Sequence, residues 1–174
     1  MKKLVLLFTI ATLSVTHSFA QDSKGYIGAS IGLALPMGDT ADGIDPGLEL
    51  NLINAGYRFN ETWGITMNWG ANAHKAKEDS EITAAFGYLG IGPMISFGGF
   101  DIKPQYAFAS GVIEGYGEKL TYDGSGFILG GTYNFSLSDH WGIATNADYS
   151  SFKMDDAEES DSFFKLSIGI QYRF

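Results

Sequence analysis

The 174-residue chain carries 11 Lys+Arg against 20 Asp+Glu, a formal net charge of −9, with no cysteine, 23 glycines and 14% aromatic residues. An acidic chain without a basic cluster argues against a nucleic-acid partner. Without cysteine there is neither a lipid-anchor site nor a disulfide framework, so packing or a closed hydrogen-bonded sheet must supply the stability.

Residues 1–20 have the layout of a secretory signal: basic Lys2 and Lys3, an apolar stretch from Leu4 to Val15, then Ser18-Phe19-Ala20 as a small-x-small site. Cleavage is expected between Ala20 and Gln21, leaving 21–174 as one domain. Beyond this segment no apolar run reaches the ~18 residues of a membrane helix. A membrane location therefore requires a closed barrel, the other structure that satisfies every backbone group in lipid.

The following segments alternate with period two, the signature of strands with one apolar and one polar face. From Gly25 to Leu35, Ile27, Ala29, Ile31, Leu33 and Leu35 oppose Gly28, Ser30, Gly32 and Ala34. An acidic loop covers 39–46. In the second strand, Leu48 to Phe59, the run Leu48, Leu50, Leu52 is out of phase with Ile53, Ala55, Tyr57, Phe59. A bulge near Leu52-Ile53 lets both runs face outward; the second run is assigned to lipid and the first is left open.

The third strand is the most regular, with Trp63, Ile65, Met67, Trp69, Ala71 and Ala73 set against Gly64, Thr66, Asn68, Gly70, Asn72 and His74. A charged loop, 75–80, precedes a fourth strand from Glu81 to Ser96, whose phase switches between Tyr88 and Leu89; Gly90, Gly92 and Pro93 permit a kink or bulge there. The fifth strand, Asp101 to Ile113, points Ile102, Tyr106 and Phe108 outward. A Gly/Tyr/acidic loop is expected over 114–124. The sixth strand then turns out Phe127, Leu129, Tyr133 and Phe135, and the seventh Trp141, Ile143, Ala147 and Tyr149. After an acidic loop, 152–161, the eighth strand places Phe164, Leu166, Ile168, Ile170, Tyr172 and Phe174 on one face and Lys165, Ser167, Gly169, Gln171 and Arg173 on the other.

An internal repeat supports the count of eight. Tyr57-Arg58-Phe59, a turn and Trp63-Gly64-Ile65 recur as Tyr133-Asn134-Phe135, a turn and Trp141-Gly142-Ile143; the chain closes on Tyr172-Arg173-Phe174. These aromatic residues, Tyr57, Phe59, Trp63, Tyr133, Phe135, Trp141, Tyr172 and Phe174, are expected to form an interfacial girdle beside short turns. Long and short connections alternate, as in outer-membrane barrels. The fold expected is all-β, an eight-stranded antiparallel up-and-down transmembrane barrel. Its polar inside opposes a soluble lipocalin-like carrier.

On these residues the chain resembles the small Gram-negative outer-membrane β-barrel family typified by OmpX, Ail and the transmembrane domain of OmpA. The resemblance implies an integral outer-membrane protein, expected as a monomer, surrounded by outer-membrane lipid and lipopolysaccharide and folded by the barrel-assembly machinery. It implies a structural or surface-interaction role, with a small transporter, a pore or a lipid-modifying barrel as the alternative. No periplasmic peptidoglycan-binding domain follows the eighth strand, so tethering to the cell wall is not expected.

An eight-stranded barrel is narrow enough for side chains to fill, and buried charges require partners. Glu49, Arg58, Asp101, Lys103, Asp148, Lys165 and Arg173 are therefore expected to pair inside. No enzyme, cofactor or metal is expected. Gly28 to Gly32 matches G-x-S-x-G, but within a strand and without the strand-to-helix elbow. His74 and His140 fall at opposite barrel ends, and His74 is expected as an exposed strand-end residue near Ser80 and Glu81. The acidic loops read as a solvated exterior; a Ca²⁺ site over Asp155 to Asp161 lacks the EF-hand spacing.

Overall fold

The computed structural model describes residues 24–79, 81–155 and 157–174. The expected cleavage site at Ala20 and Gln21, and Ser80, lie outside the described residues. Eight strands follow in order: β1 (Gly25–Met37), β2 (Gly47–Arg58), β3 (Trp63–Lys75), β4 (Thr83–Phe97), β5 (Phe100–Gly115), β6 (Glu118–Ser136), β7 (Trp141–Met154) and β8 (Asp161–Arg173). One helical turn, α1 (Thr40–Gly43), lies between β1 and β2. Each strand pairs with its sequence neighbour, and β1 closes on β8 from Tyr26↔Arg173 to Met37↔Ser162, so the sheet is a closed barrel. Closure leaves no edge along the shared height of the strands, which is what lipid demands.

The apolar set faces out. Ile31, Leu33, Phe59, Phe108, Ile168 and Phe174 are each more than half exposed, whereas Asn68, Asn72, Asp101, Lys103 and Lys165 are buried. This inverts a soluble barrel. The inversion is stable only where the surroundings of the outer face are themselves apolar.

The phase break in β2 is a bulge at Leu52. Asn51 pairs with Gly70 and Ile53 with Trp69, so Leu52 is the extra residue. Leu48, Leu50 and Leu52 consequently stay exposed together with Tyr57 and Phe59. The one-residue insertion rescues the outward phase of both runs.

Strand β4 shows neither a register-shifting bulge nor a break at the expected kink or bulge. Its ladder with β3 runs unbroken from Trp63↔Ile95 to Lys75↔Thr83. The ladder with β5 instead skips from Ile91↔Tyr106 to Ile95↔Ile102 without a register shift. Pro93 and Pro104 fall opposite one another in that gap, and neither has an N–H to give. The phase switch is also resolved: Ala84, Phe86 and Tyr88 point inward and Leu89 and Ile91 outward.

A second correction concerns 114–124, expected as a loop. Strands β5 and β6 continue as a ladder to Gly115↔Glu118. Tyr116 (φ 52°) and Gly117 (φ 82°) turn the hairpin, matching the two positive φ values of the tight turn that follows strand twist.

Candidate functional site

The interior is lined by groups of polar, charged and aromatic side chains that contact one another across the barrel. At the end bearing the chain termini and the short turns, Arg58 contacts Asp101 at 3.0 Å. Arg58 also donates from Nε to Ser96 Oγ (3.0 Å), while Ser96 Oγ and Asn134 Nδ2 donate to the Asp101 carboxylate at 2.6 and 2.7 Å. Arg173 donates to Ser136 Oγ at 2.8 Å. Gly142 makes room for that guanidinium, since a Cβ there would lie 2.5 Å from Arg173 Nη2.

The next layer is uncharged. Asn68 donates to Gln105 Oε1 (3.2 Å), Thr132 to Asn146 Oδ1 (2.7 Å), Asn146 to Ser167 Oγ (3.0 Å), and Ser167 to Ser30 Oγ (3.1 Å). Ser30, the serine of the G-x-S-x-G match, is thus one link in an interior hydroxyl–amide chain within β1. The strand provides no nucleophile elbow.

Mid-barrel lies the second ionic layer. The registers Lys103↔Gly130, Gly130↔Asp148 and Asp148↔Lys165 set three charged groups in one row across β5 to β8. Gly130 is the gap in that row: a Cβ there would lie 2.4 Å from Asp148 Oδ1. Opposite the row, Glu49 lies 3.7 Å from Lys165 Nζ and accepts a hydrogen bond from the Tyr88 hydroxyl. The Lys165 ammonium also sits over the Tyr88 ring, 3.9 Å from its centroid. Two carboxylates and two ammonium groups balance to zero, as burial requires.

Towards the opposite end the interior becomes aromatic. Phe86 and Phe163 pack at 4.9 Å between centroids, His74 stacks on Phe163 at 5.1 Å, and Phe152 stacks on Tyr88 at 5.9 Å. Ile128, Met154, Ala84, Ala107 and Ala109 complete this cluster. Sequence reasoning missed this layer and Tyr88's role in it. The signal was available: Phe152 shares its phase with Asp148, and Phe163 shares its phase with Lys165.

His74 corrects a further expectation. It is 2% exposed, not a surface residue. Its Nδ1 bonds the Asp45 carbonyl oxygen at 2.8 Å and its Nε2 bonds Asn72 Oδ1 at 2.9 Å. His140 sits at the other end, stacked on Tyr172 at 5.6 Å.

Above the aromatic layer the connections fold inward and outward in different ways. The first folds in: the α1 residue Thr40 bonds Asp161 and Ser162 of β8, and Ile44 bridges Ala76. The β5–β6 hairpin projects. Strand β6 meets β7 from Gly124↔Met154 onward, with one further bond from the Asp155 N–H to the Asp123 carbonyl (2.9 Å), so among the described residues 118–122 pair with β5 alone. On its other flank the hairpin is braced, with Tyr116 donating to the Asp79 carboxylate and Gly115 packed against Ile82. The hydrogen bond from Tyr116 holds the Asp79 carboxyl below its ordinary value.

The eight aromatic residues of the repeat collect at the end bearing the termini. Trp141 meets Tyr172 at 5.2 Å and Tyr133 meets Phe135 at 4.6 Å. Tyr57, Phe59, Trp63, Phe135, Trp141, Tyr172 and Phe174 are exposed and Tyr133 is half-buried. Phe97 and Phe100, at the β4–β5 turn, join them and were not foreseen as members.

A family profile described as outer membrane protein beta-barrel domain matches residues 4–174. The chain belongs to this family. Solved structures with the same fold include Neisserial surface protein A (TM-score 0.62, 16% identity, covering 86% of this chain and 97% of that one). Ail, the attachment invasion locus protein of Yersinia pestis, is similar in its complex with the heparin analogue sucrose octasulfate (TM-score 0.56, 20% identity, 87% and 99% covered). So is a major outer membrane protein from Thermus thermophilus (TM-score 0.53, 14% identity, 88% and 100% covered). No curated protein sequence matches the chain. In such barrels short turns face the periplasm and longer connections face outside; here the Arg58–Asp101 group lies at the short-turn end and the aromatic layer towards the longer connections.

Proposed function

We propose that the protein is exported by way of its cleaved 1–20 segment, assembled by the barrel-assembly machinery, and resides in the outer membrane as a monomeric barrel that does not conduct. Its role is structural or surface-interacting. The eight terminal-end aromatics form the periplasmic girdle, where amphipathic rings favour the headgroup level. The observation that carries this reading is the filled interior. Two ionic groups, an amide group and an aromatic layer occupy the inside of the barrel with buried side chains. With the inside occupied, contact is left to the outer connections and to the projecting β5–β6 hairpin.

The five residues 118–122 rise by about 17 Å of strand at ~3.3 Å per residue. Their unpaired side offers backbone donors and acceptors to water or to a partner. Ail was solved with a sulfated polyanion, but that ligand class does not carry over to this chain. Asp39, Asp42, Asp45, Glu78, Asp79, Glu81, Glu158 and Glu159 place negative charge on the outer connections, which repels sulfate.

Planar-bilayer recording tests the reading. The purified barrel is expected to leave the membrane silent across the physiological voltage range. A stable unitary conductance, reproduced between preparations and abolished by boiling the protein, contradicts it.

A further inference from the structure

One cavity does not belong to the filled interior. It opens at the outer mouth, above the aromatic layer, with a volume of about 530 Å³, within the range of small-molecule sites. Phe86 and Met154 form its floor together with Gly111, and Ile44, Val112 and Tyr122 stand among its walls. Because the aromatic layer closes below it, the cavity is blind. A ligand there is held and not passed through.

Two further features give the cavity its character. First, Asp39, Glu159 and Asp161 line it, and among the described residues none of those lining it is Lys or Arg. Asp161 is fixed by the hydroxyl of Thr40, which bonds its carboxylate at 3.4 Å, and the same hydroxyl accepts from the Ser162 N–H at 3.1 Å. The carboxylate therefore belongs to a braced rim and not to a free loop tip. Second, Gly111 leaves its share of the wall open. A Cβ there would meet nothing nearer than the Met154 methyl at 3.5 Å, so the space beside it is real volume that a larger side chain would occupy.

An apolar floor with a wholly acidic rim is complementary to one ligand chemistry. We propose that the outer mouth binds small cationic amphiphiles, compact apolar bodies bearing one ammonium group, with the apolar part on Phe86 and Met154 and the ammonium at Asp161 and Glu159. An anion of the same shape meets three carboxylates and is rejected; a neutral alcohol keeps only the apolar contact. The proposal goes beyond the non-conducting surface role. It stands or falls separately, because a blind pocket can fill in a silent barrel and a conducting barrel could leave it empty.

The test uses the barrel in nanodiscs with methyl-labelled methionines. Met154 reports the cavity floor, while the half-buried, outward-facing Met67 reports partition into the bilayer. Three probes share one apolar cage: 1-adamantylamine, 1-adamantanol and 1-adamantanecarboxylate. The amine is expected to shift the Met154 signal saturably, with Met67 unmoved. The alcohol is expected to bind about two- to fivefold more weakly, as befits partly exposed ion pairs, and the carboxylate more weakly still. The double variant Asp161→Asn/Glu159→Gln is expected to bring the amine down to the alcohol's affinity without changing the alcohol. Gly111→Leu, checked for folding by its heat-dependent gel mobility, is expected to remove the titration for all three. Equal responses to the three probes, a response at Met67 alone, or an unchanged amine affinity in the double variant overturns the proposal.

Discussion

Replacing Lys165 by Met removes one member of a balanced buried quartet and shows what holds the barrel's middle together. Lys165 is 1% exposed and Glu49 2%, with Nζ and Oε1 3.7 Å apart. The variant leaves Glu49 and Asp148 facing Lys103 alone, one negative charge in excess within a low-dielectric interior. Removing one partner of a buried pair typically costs about 3–5 kcal/mol, and the lost placement over the Tyr88 ring adds to this. Adding Glu49→Gln restores neutrality: Asp148 and Lys103 remain, and the new amide oxygen can still accept from the Tyr88 hydroxyl. The double variant is therefore expected to recover most of the loss, ending within about 1–2 kcal/mol of the parent. Reversible urea unfolding in lipid vesicles, followed by tryptophan fluorescence, supplies the four corners of the cycle. Additive losses, with the double variant weaker than either single one, refute the neutral-quartet argument.

Other consequences follow from the same layers. Gly130→Ala pushes a methyl to within 2.4 Å of Asp148 Oδ1 and is expected to cost about 1–3 kcal/mol, read by the same unfolding assay; Gly38→Ala, with nothing near its Cβ position but φ at 58°, gives the contrasting case of backbone strain without a clash. His74→Ala severs the bonds to Asp45 and Asn72 and the stack on Phe163, an expected loss of about 2–4 kcal/mol, with faster amide exchange at 43–45; unaltered exchange there contradicts the pinning of the first connection. The Asp79–Tyr116 bond carries a pH signature. Because the folded-state value of Asp79 lies below its ordinary 3.8, the bond's contribution is complete above that value and fades as pH falls through the depressed one. Amide exchange at 115–118 should accordingly rise only at the acid end of a titration, and a Tyr116→Phe variant should lose that dependence.

The strands were legible because lipid outside and polar groups inside force a period of two along the whole chain. Strand β3 shows this most plainly, with Trp63 to Ala73 out and Gly64 to His74 in. The β2 bulge was legible too, since two clean half-runs out of phase by one residue leave a single insertion as the economical solution. What escaped was the inside of the outer half. Phe86, Tyr88, Phe152 and Phe163 are apolar, and apolar residues in a membrane barrel read as lipid-facing until the register is known. Their neighbours in phase, Asp148 and Lys165, carried the correction.

The hairpin at 114–124 escaped for a different reason. Its Gly, Tyr and acidic composition is that of a loop, while the ladder depends on a turn with positive φ at Tyr116, a conformation a Tyr adopts only infrequently. His74 was misjudged because a strand-end position says nothing of the connection that folds over it. Arg58 with Asp101 and Glu49 with Lys165 are in contact, and burial leaves a charged group little choice but a partner of opposite sign.

The central claim is that the exposed apolar face is the face that meets lipid, and tryptophan depth tests it most directly. Trp63 and Trp141 stand at the short-turn ends of their strands, and Trp69 lies six residues farther along β3. At ~3.3 Å per residue and a tilt of about 40°, Trp69 sits about 15 Å deeper, near the middle of the apolar band. Single-tryptophan variants in vesicles of brominated lipid report the depth of each ring. The account predicts that Trp69 is quenched most by bromines near the chain ends and that Trp63 and Trp141 are quenched most by bromines near the headgroups. Quenching of all three by an aqueous quencher, with none by either lipid, would contradict it.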